Sequence, residues 1–156
     1  MNPQVITTLQ GRKVTDDRGS VSFVNDFDPV KYGIRRFYTV QNHRAGFIRA
    51  WHGHEHEAKF AYVVSGTVLL KTVSIEGAKL SKFGDDIGNV IVSSVLSADN
   101  PQVIYIPPGY FNGFKTLTDD AAIIFFSDKT LEESKGDDIR LPWDALGRDV
   151  WEENYR

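Results

Sequence analysis

The sequence predicts an all-β protein, a sandwich or barrel of short antiparallel strands in a single domain, and three observations carry that prediction. Segments rich in β-branched and aromatic residues recur at roughly ten-residue intervals. Turns bearing glycine, proline or aspartate separate them and leave little room for long helices. No linker, repeat or low-complexity stretch divides the 156 residues, a length that fits one domain with an adequate core.

In chain order, the first predicted strand is Ser20–Asp26, which follows the turn Asp17-Arg18-Gly19. Its apolar stretch, Val21 to Phe27, is a candidate for pairing with a second copy across a two-fold axis, which predicts a homodimer. Arg35–Gln41 follows, and strand alternation turns one of Arg35 and Arg36 inward and the other to solvent. Gly46–Trp51 leads into a histidine-rich run. Lys59–Val64 and Thr67–Ile75 flank the hairpin turn Ser65-Gly66. With three glycines and two aspartates, Glu76 to Asn89 reads as a long exposed loop. Then come Asn89–Leu96 and Gln102–Ile106, the turn Pro107-Pro108-Gly109, Gly113–Leu117, the turn residues Asp119 and Asp120, and Ala121–Ser127. A barrel core over 18–128 is thus expected, with a C-terminal tail over 129–156 that loses the alternation and docks through Leu141-Pro142-Trp143-Asp144 and Trp151.

Composition narrows the partners. A net charge of -3 and a pI near 5.8 give no global attraction for nucleic acid, whereas Arg35, Arg36, Arg44 and Arg49 form a local basic concentration suited to a small anion. Without cysteine, neither a disulfide framework nor a thiolate metal site forms. The N-terminus has no basic segment followed by an apolar core, and no stretch approaches the roughly twenty apolar residues of a membrane span, so the expected location is cytoplasmic.

All four histidines lie within fourteen residues, as His43, His52, His54 and His56. Imidazole is the side chain suited to proton transfer and metal ligation near neutral pH, so the chemistry is expected there. Two residues apart on a strand, His52 and His54 share a face and line one cavity. His43 and His56 flank the strands and read as rim residues, and Trp51 and Phe60 as packing residues.

The run from Gly46 through His52-Gly53-His54 and Lys59 to Gly66, with the later Pro107-Pro108-Gly109-Tyr110-Phe111-Asn112, resembles the two motifs of the cupin superfamily, jelly rolls that bind a divalent metal with histidines and a glutamate. Here Lys59 takes the place of the glutamate and Asn112 that of the last histidine. An ammonium repels a cation and two imidazoles make a weak set, so no metal is expected.

A narrower resemblance is to the dTDP-4-dehydrorhamnose 3,5-epimerase family. It rests on Asp16-Asp17-Arg18-Gly19, Gln41-Asn42-His43, Arg49-Ala50-Trp51-His52, Lys59 seven residues before Gly66, Ile106 to Phe114, and the terminal Trp143-Asp144 and Trp151. That resemblance implies a metal-free cupin dimer, needing no cofactor, that acts on a nucleotide-diphosphate sugar of the 4-keto-6-deoxyhexose class, with dTDP as the nucleotide. It implies His52 as the base that removes a proton α to the ketone and Lys59 as the cation beside the developing enolate. Arg18 and Arg49, with Asn42 and Asn112, would hold the substrate, and Arg18 would reach the neighbouring subunit's site. Physical chemistry agrees, since such a proton is weakly acidic and needs both a base and a cation. Lys59 would also lower the pKa of His52 and keep it neutral. Where the family has a tyrosine acid this chain has Phe125, and it ends before the family's aspartate partner of the base, leaving Glu55 or Glu57 to orient His52. The expected outcome is epimerisation at one carbon rather than two.

Two alternatives accompany this reading. Arg49-Ala50-Trp51-His52-Gly53-His54, preceded by Ile34 to Val40, also resembles the sugar 3,4-ketoisomerases, in which His52 and His54 would shuttle a proton with Tyr38 as an additional acid. A cupin that binds a sugar without turnover is the other, because the architecture alone does not imply catalysis.

Overall fold

A computed structural model describes residues 3–80 and 87–153. The strands are Thr7–Gln10 (β1), Arg12–Asp16 (β2), Gly19–Phe23 (β3), Arg36–Gln41 (β4), Ile48–His54 (β5), Lys59–Ser65 (β6), Thr67–Ser74 (β7), Val92–Ser97 (β8), Gln102–Ile106 (β9), Tyr110–Thr116 (β10), Ala122–Ser127 (β11) and Ile139–Arg140 (β12). Two five-stranded antiparallel sheets, ordered β1-β9-β6-β11-β4 and β12-β5-β10-β7-β8, face each other in the expected jelly roll. No described helix is long and apolar enough to cross a membrane.

The alternation that marks these strands in the sequence fills the space between the sheets. Val63, Val68, Leu70, Leu96, Ile104, Phe114, Ile123 and Phe125 form one buried cluster, and such aliphatic and aromatic burial contributes about 1.5–3 kcal/mol for each large side chain. A second cluster joins Trp51, which is fully buried as expected, to Trp151 of the C-terminal tail, their ring centroids 5.0 Å apart. Phe60 packs in a third cluster with Tyr105, Val103 and Ala58.

The sequence expectations need correction in four places. Two strands precede the first one expected: β1 pairs with β9, and β2 with β3 to make a separate hairpin whose residues are almost all exposed. Polar residues fill these strands, so their hydrophobic signal is weak; β3 accordingly ends at Phe23 instead of Asp26. The long loop expected at Glu76–Asn89 begins as a helix, Ile75–Leu80 (α1), because Ile75 and Ala78 turn one face into the Trp51 cluster; a 3-10 turn follows at Ile87–Asn89, and the intervening 81–86 lie outside the described residues. β5 and β10 extend beyond their expected limits, β5 through His54 and β10 back to Tyr110, because each edge of β10 is hydrogen-bonded, to β5 and to β7. The tail contains a helix, Leu131–Lys135 (α2), started by a capping box between Thr130 and Glu133, and then the short β12, which pairs with β5.

Trp151 carries the docking of the tail. Its indole N–H donates to the Trp143 carbonyl at 3.1 Å, and Lys115 donates to the Trp151 carbonyl at 3.0 Å. We expect Trp151→Ala to cost about 3–5 kcal/mol, the usual range for deleting a buried large aromatic. Equilibrium urea denaturation checks this, and a loss under 1 kcal/mol would mean that the tail docks by other contacts.

Candidate active site

Between the sheets lies a cavity of about 410 Å³ whose walls include Tyr38, Arg49, His52, His54, Lys59, Asn112 and Phe125. On β5, His52 and His54 project to the same side, as the two-residue spacing requires. Directly opposite His52 stand Asn112 on β10 and Arg140 on β12, so these side chains form a row across the sheet. Arg49, three residues before His52, would face away on a regular strand. A register shift between Asn112 and Phe114 pairs Phe114 with Arg49 and turns both into the cavity. Gly113 permits it, because a Cβ there would collide with Ala50 and press on the Trp151 ring.

The facing sheet presents two rows. Arg36, Ser127 and Lys59 are cross-strand partners, and so are Tyr38, Phe125 and Ala61. The Lys59 side chain is nearly buried, with its ammonium 5.8 Å from the Tyr38 ring centroid, and Tyr38 stacks on Phe125 with centroids 5.4 Å apart. Phe125 is therefore on the cavity wall, as expected, with a phenol stacked on it. Of Arg35 and Arg36, the latter faces in.

Burial lowers the pKa of His52, and the charges of Lys59 and Arg140 lower it further against the opposing pull of Asp138. Burial and Lys59 likewise lower His54, while Glu57 and Asp137 oppose. Both rings are thereby held toward the neutral form, able to accept protons. Lys59 is itself pulled below the ordinary lysine value by burial, with Glu57 and Asp138 acting against that. Burial and the Glu57 charge push Tyr38 up to about 12, so it remains a phenol at neutral pH.

Several sequence expectations require revision here. Glu57 does not orient His52; its Oε2 lies 3.1 Å from Nδ1 of His54, while Glu55 is exposed. A glutamate three residues on from His54 reaches that ring because the chain turns between β5 and β6. The acid that acts electrostatically on His52 is Asp138, which sequence reasoning missed together with Arg140 and Lys135, because nothing in a tail sequence reveals which strand it will pair with. Asn42 is on the wall of a neighbouring pocket and accepts a 2.7 Å hydrogen bond from Nε of Arg49, so it aims that arginine from outside the main cavity. Asn112 donates at 3.1 Å to the His52 carbonyl. Arg18 is away from the cavity of its own chain, at the tip of the β2–β3 hairpin, paired with Asp16 at 2.6 Å. His43 and His56 are exposed, as expected of rim residues.

The donor set does not fit a divalent metal. Nδ1 of His54 is engaged by the Asp137 carbonyl at 2.7 Å, an ammonium and an amide take the two other ligand positions, and among the described residues no group of three or more His, Asp or Glu side chains is placed to hold a metal ion.

A family model described as dTDP-4-dehydrorhamnose 3,5-epimerase matches residues 4–151. The spore coat polysaccharide biosynthesis protein SpsL of Bacillus subtilis (strain 168) is 25% identical over 100 residues, which span 64% of this chain and 62% of SpsL, less than two thirds of that relative. Among solved structures, dTDP-4-dehydrorhamnose 3,5-epimerase from Bacillus anthracis, with TDP and PPi bound, is similar at a TM-score of 0.70 and 21% identity, over 89% of this chain and 79% of that one. A double mutant of ChmJ, a 3'-monoepimerase from Streptomyces bikiniensis in complex with dTDP, is similar at 0.68 and 19%, over 90% of this chain and 72% of that one.

One electrostatic consequence is open to direct measurement. Lys59→Met removes a cation that disfavours both imidazolium ions, so the pKa of His52 and of His54 should rise. Proton NMR titration of the ring Cε1–H signals reads this without substrate. Unchanged midpoints would mean that the ammonium does not act on the pair.

Proposed function

The chain belongs to the dTDP-4-dehydrorhamnose 3,5-epimerase family, and on that premise we propose that it epimerises a nucleotide-linked 4-keto-6-deoxyhexose by α-proton abstraction, at one carbon rather than two. The observation that carries this reading is the juxtaposition of a neutral-leaning imidazole, His52, with the nearly buried Lys59 in one cavity. His52 takes the proton α to the ketone, and electron density moves onto the ketone oxygen. Lys59 balances the charge on that enolate oxygen, an interaction stronger in this low-dielectric wall than in water. Arg49, aimed by Asn42 and shared between the main cavity and the neighbouring pocket, takes the diphosphate, for which its planar fork is suited. The nucleotides in the two related structures support a thymidine nucleotide as the other end of the substrate.

Inversion requires that the proton be returned to the opposite face of the ring. Phe125 has no proton to give. Tyr38, stacked on Phe125, is the neighbouring hydroxyl, and although burial makes it a weak phenol it is still a stronger acid than a carbon α to a ketone. In this reading it donates to carbon and recovers its proton from solvent, while His52 releases the abstracted proton to solvent.

The decisive experiment is solvent-deuterium incorporation into a panel of 4-keto-6-deoxy nucleotide sugars. Label at a single carbon, C3 or C5, with the ketone still at C4 is the expected result. A ketone moved to C3 would make the protein a 3,4-ketoisomerase, and tight binding without label would make it a binding protein. His52→Asn should abolish exchange while nucleotide affinity stays within a few fold, because the diphosphate contacts come from arginine. Phe125→Tyr restores a hydroxyl at the family position and should broaden the products to a second carbon.

We also propose a homodimer in which the β2–β3 hairpin places Arg18 at the neighbouring site. Val14 and Val21 are 46% and 62% exposed on that hairpin, an apolar pair that a partner would cover. Sedimentation should give a dimer at micromolar concentration, and mixing Arg18→Ala with His52→Asn should recover part of the activity by forming one intact site. A monodisperse monomer, or no recovery on subunit exchange, would overturn the arrangement.

A further inference from the structure

We propose that Glu57 is the positioning residue for His54, and that with the Asp137 carbonyl it holds this ring as the Nδ1–H tautomer, leaving Nε2 free to accept a proton from the cavity. One hydrogen bond and one ion contact carry the inference. Nδ1 of His54 lies 2.7 Å from the Asp137 carbonyl oxygen and 3.1 Å from Oε2 of Glu57. A carbonyl has no proton to donate, so Nδ1 must carry the hydrogen and the lone pair must be on Nε2. Glu57 cannot supply the opposite arrangement, because its oxygens are already acceptors. Ser127 donates to Oε1 at 2.6 Å, Ser134 to Oε2 at 2.7 Å, and Arg36 to Oε1 at 3.1 Å. Such a carboxylate, with a fully buried side chain, is satisfied only as an anion.

The titratable groups facing this ring come from each element around it: Lys59 on β6, His52 on β5, Tyr110 directly opposite on β10, Glu57 on the intervening turn, and Asp137 on the tail. Arg36 on β4 acts through Glu57, while Asp138 and Arg140 share the cavity. When Nε2 takes a proton, the imidazolium keeps its Nδ1–H bond to the Asp137 carbonyl and gains an ion pair with Oε2 of Glu57 at 3.1 Å, which offsets the repulsion from Lys59. A ring that served only for packing would have no need of an anion at zero exposure behind it. The arrangement deepens the epimerase reading by adding a second acceptor beside His52, and the tautomer itself does not depend on that reading.

The test uses the full chain labelled with 15N. Ring 15N–1H correlations, with His54→Asn to assign the signals, should show His54 in the Nδ1–H form near neutral pH. In Glu57→Gln the carbonyl contact persists but the charge is gone. His54 should then protonate at lower pH, the pH profile of α-proton exchange should shift, and kcat should fall roughly tenfold or more with KM unchanged. Ser134→Ala, which removes a neighbouring hydroxyl and leaves the charge, should keep the wild-type tautomer and midpoint. An Nε2–H tautomer in the wild-type protein overturns the proposal, whatever becomes of the variants. So does a His54 titration in Glu57→Gln that superimposes on the wild type. Because the ring spectra need no substrate, they decide this point even if no sugar is turned over.

Discussion

The Asp137 carboxylate fixes the geometry on which the site depends. Its two oxygens accept the backbone N–H groups of Glu55, His56 and Glu57 at 2.8–3.1 Å, clamping the turn between β5 and β6 to the C-terminal segment. Burial would raise this carboxyl, but the three N–H donors outweigh it and hold the pKa below the ordinary aspartate value. Hydrogen bonds to a charged group contribute about 1.5–3 kcal/mol each, so the clamp is substantial against the few kcal/mol by which a domain is stable. His54 precedes the clamped turn and Lys59 follows it, so the same contact sets the spacing of imidazole and ammonium on opposing sheets. The Asp128 carboxylate completes the turn by accepting from the Ala58 N–H at 2.9 Å.

The charge balance of the cavity follows from which strands face each other. Arg36, Arg49, Lys59, Lys135 and Arg140 converge on it against the single carboxylate Asp138, with Glu57 anionic behind the wall. The chain as a whole is acidic, with a net charge of -3, so this is local segregation. It suits an anionic ligand and the formation of an enolate, and it disfavours imidazolium ions. Glu57 and Asp138 keep the cluster tolerable: one pairs with Arg36 at 3.1 Å and the other with Arg140 at 2.8 Å.

Much of the fold was legible because strands of the two main sheets turn alternate residues into the space between them. Their periodicity is strong, and Gln102–Ile106 has the limits expected from the sequence alone. The N-terminal hairpin was not legible, because it buries almost nothing and so has no apolar repeat to read. Helix α1 was hidden because only Ile75 and Ala78 mark its buried face, too few to establish a helical period. In the tail, Trp151 was visible as an anchor while β12 was invisible, since a two-residue strand has no pattern apart from the neighbour it pairs with.

By itself the sequence determined the chemistry available and most of its placement. The His52–His54 pair shares a face because strand geometry permits nothing else, and the substitutions Lys59, Asn112 and Phe125 can be read at their positions in the motifs. Tertiary structure alone decided the rest. The register shift in β10 turns Arg49 inward, the β12 pairing puts Arg140 beside His52, and the clamped turn assigns Glu57 to His54 and leaves Asp138 to act on His52. Those contacts join residues as many as 88 positions apart in the chain, as in the pairing of Arg140 with His52. Spacing along a strand reports which side a residue faces; what it meets there depends on how distant strands pair.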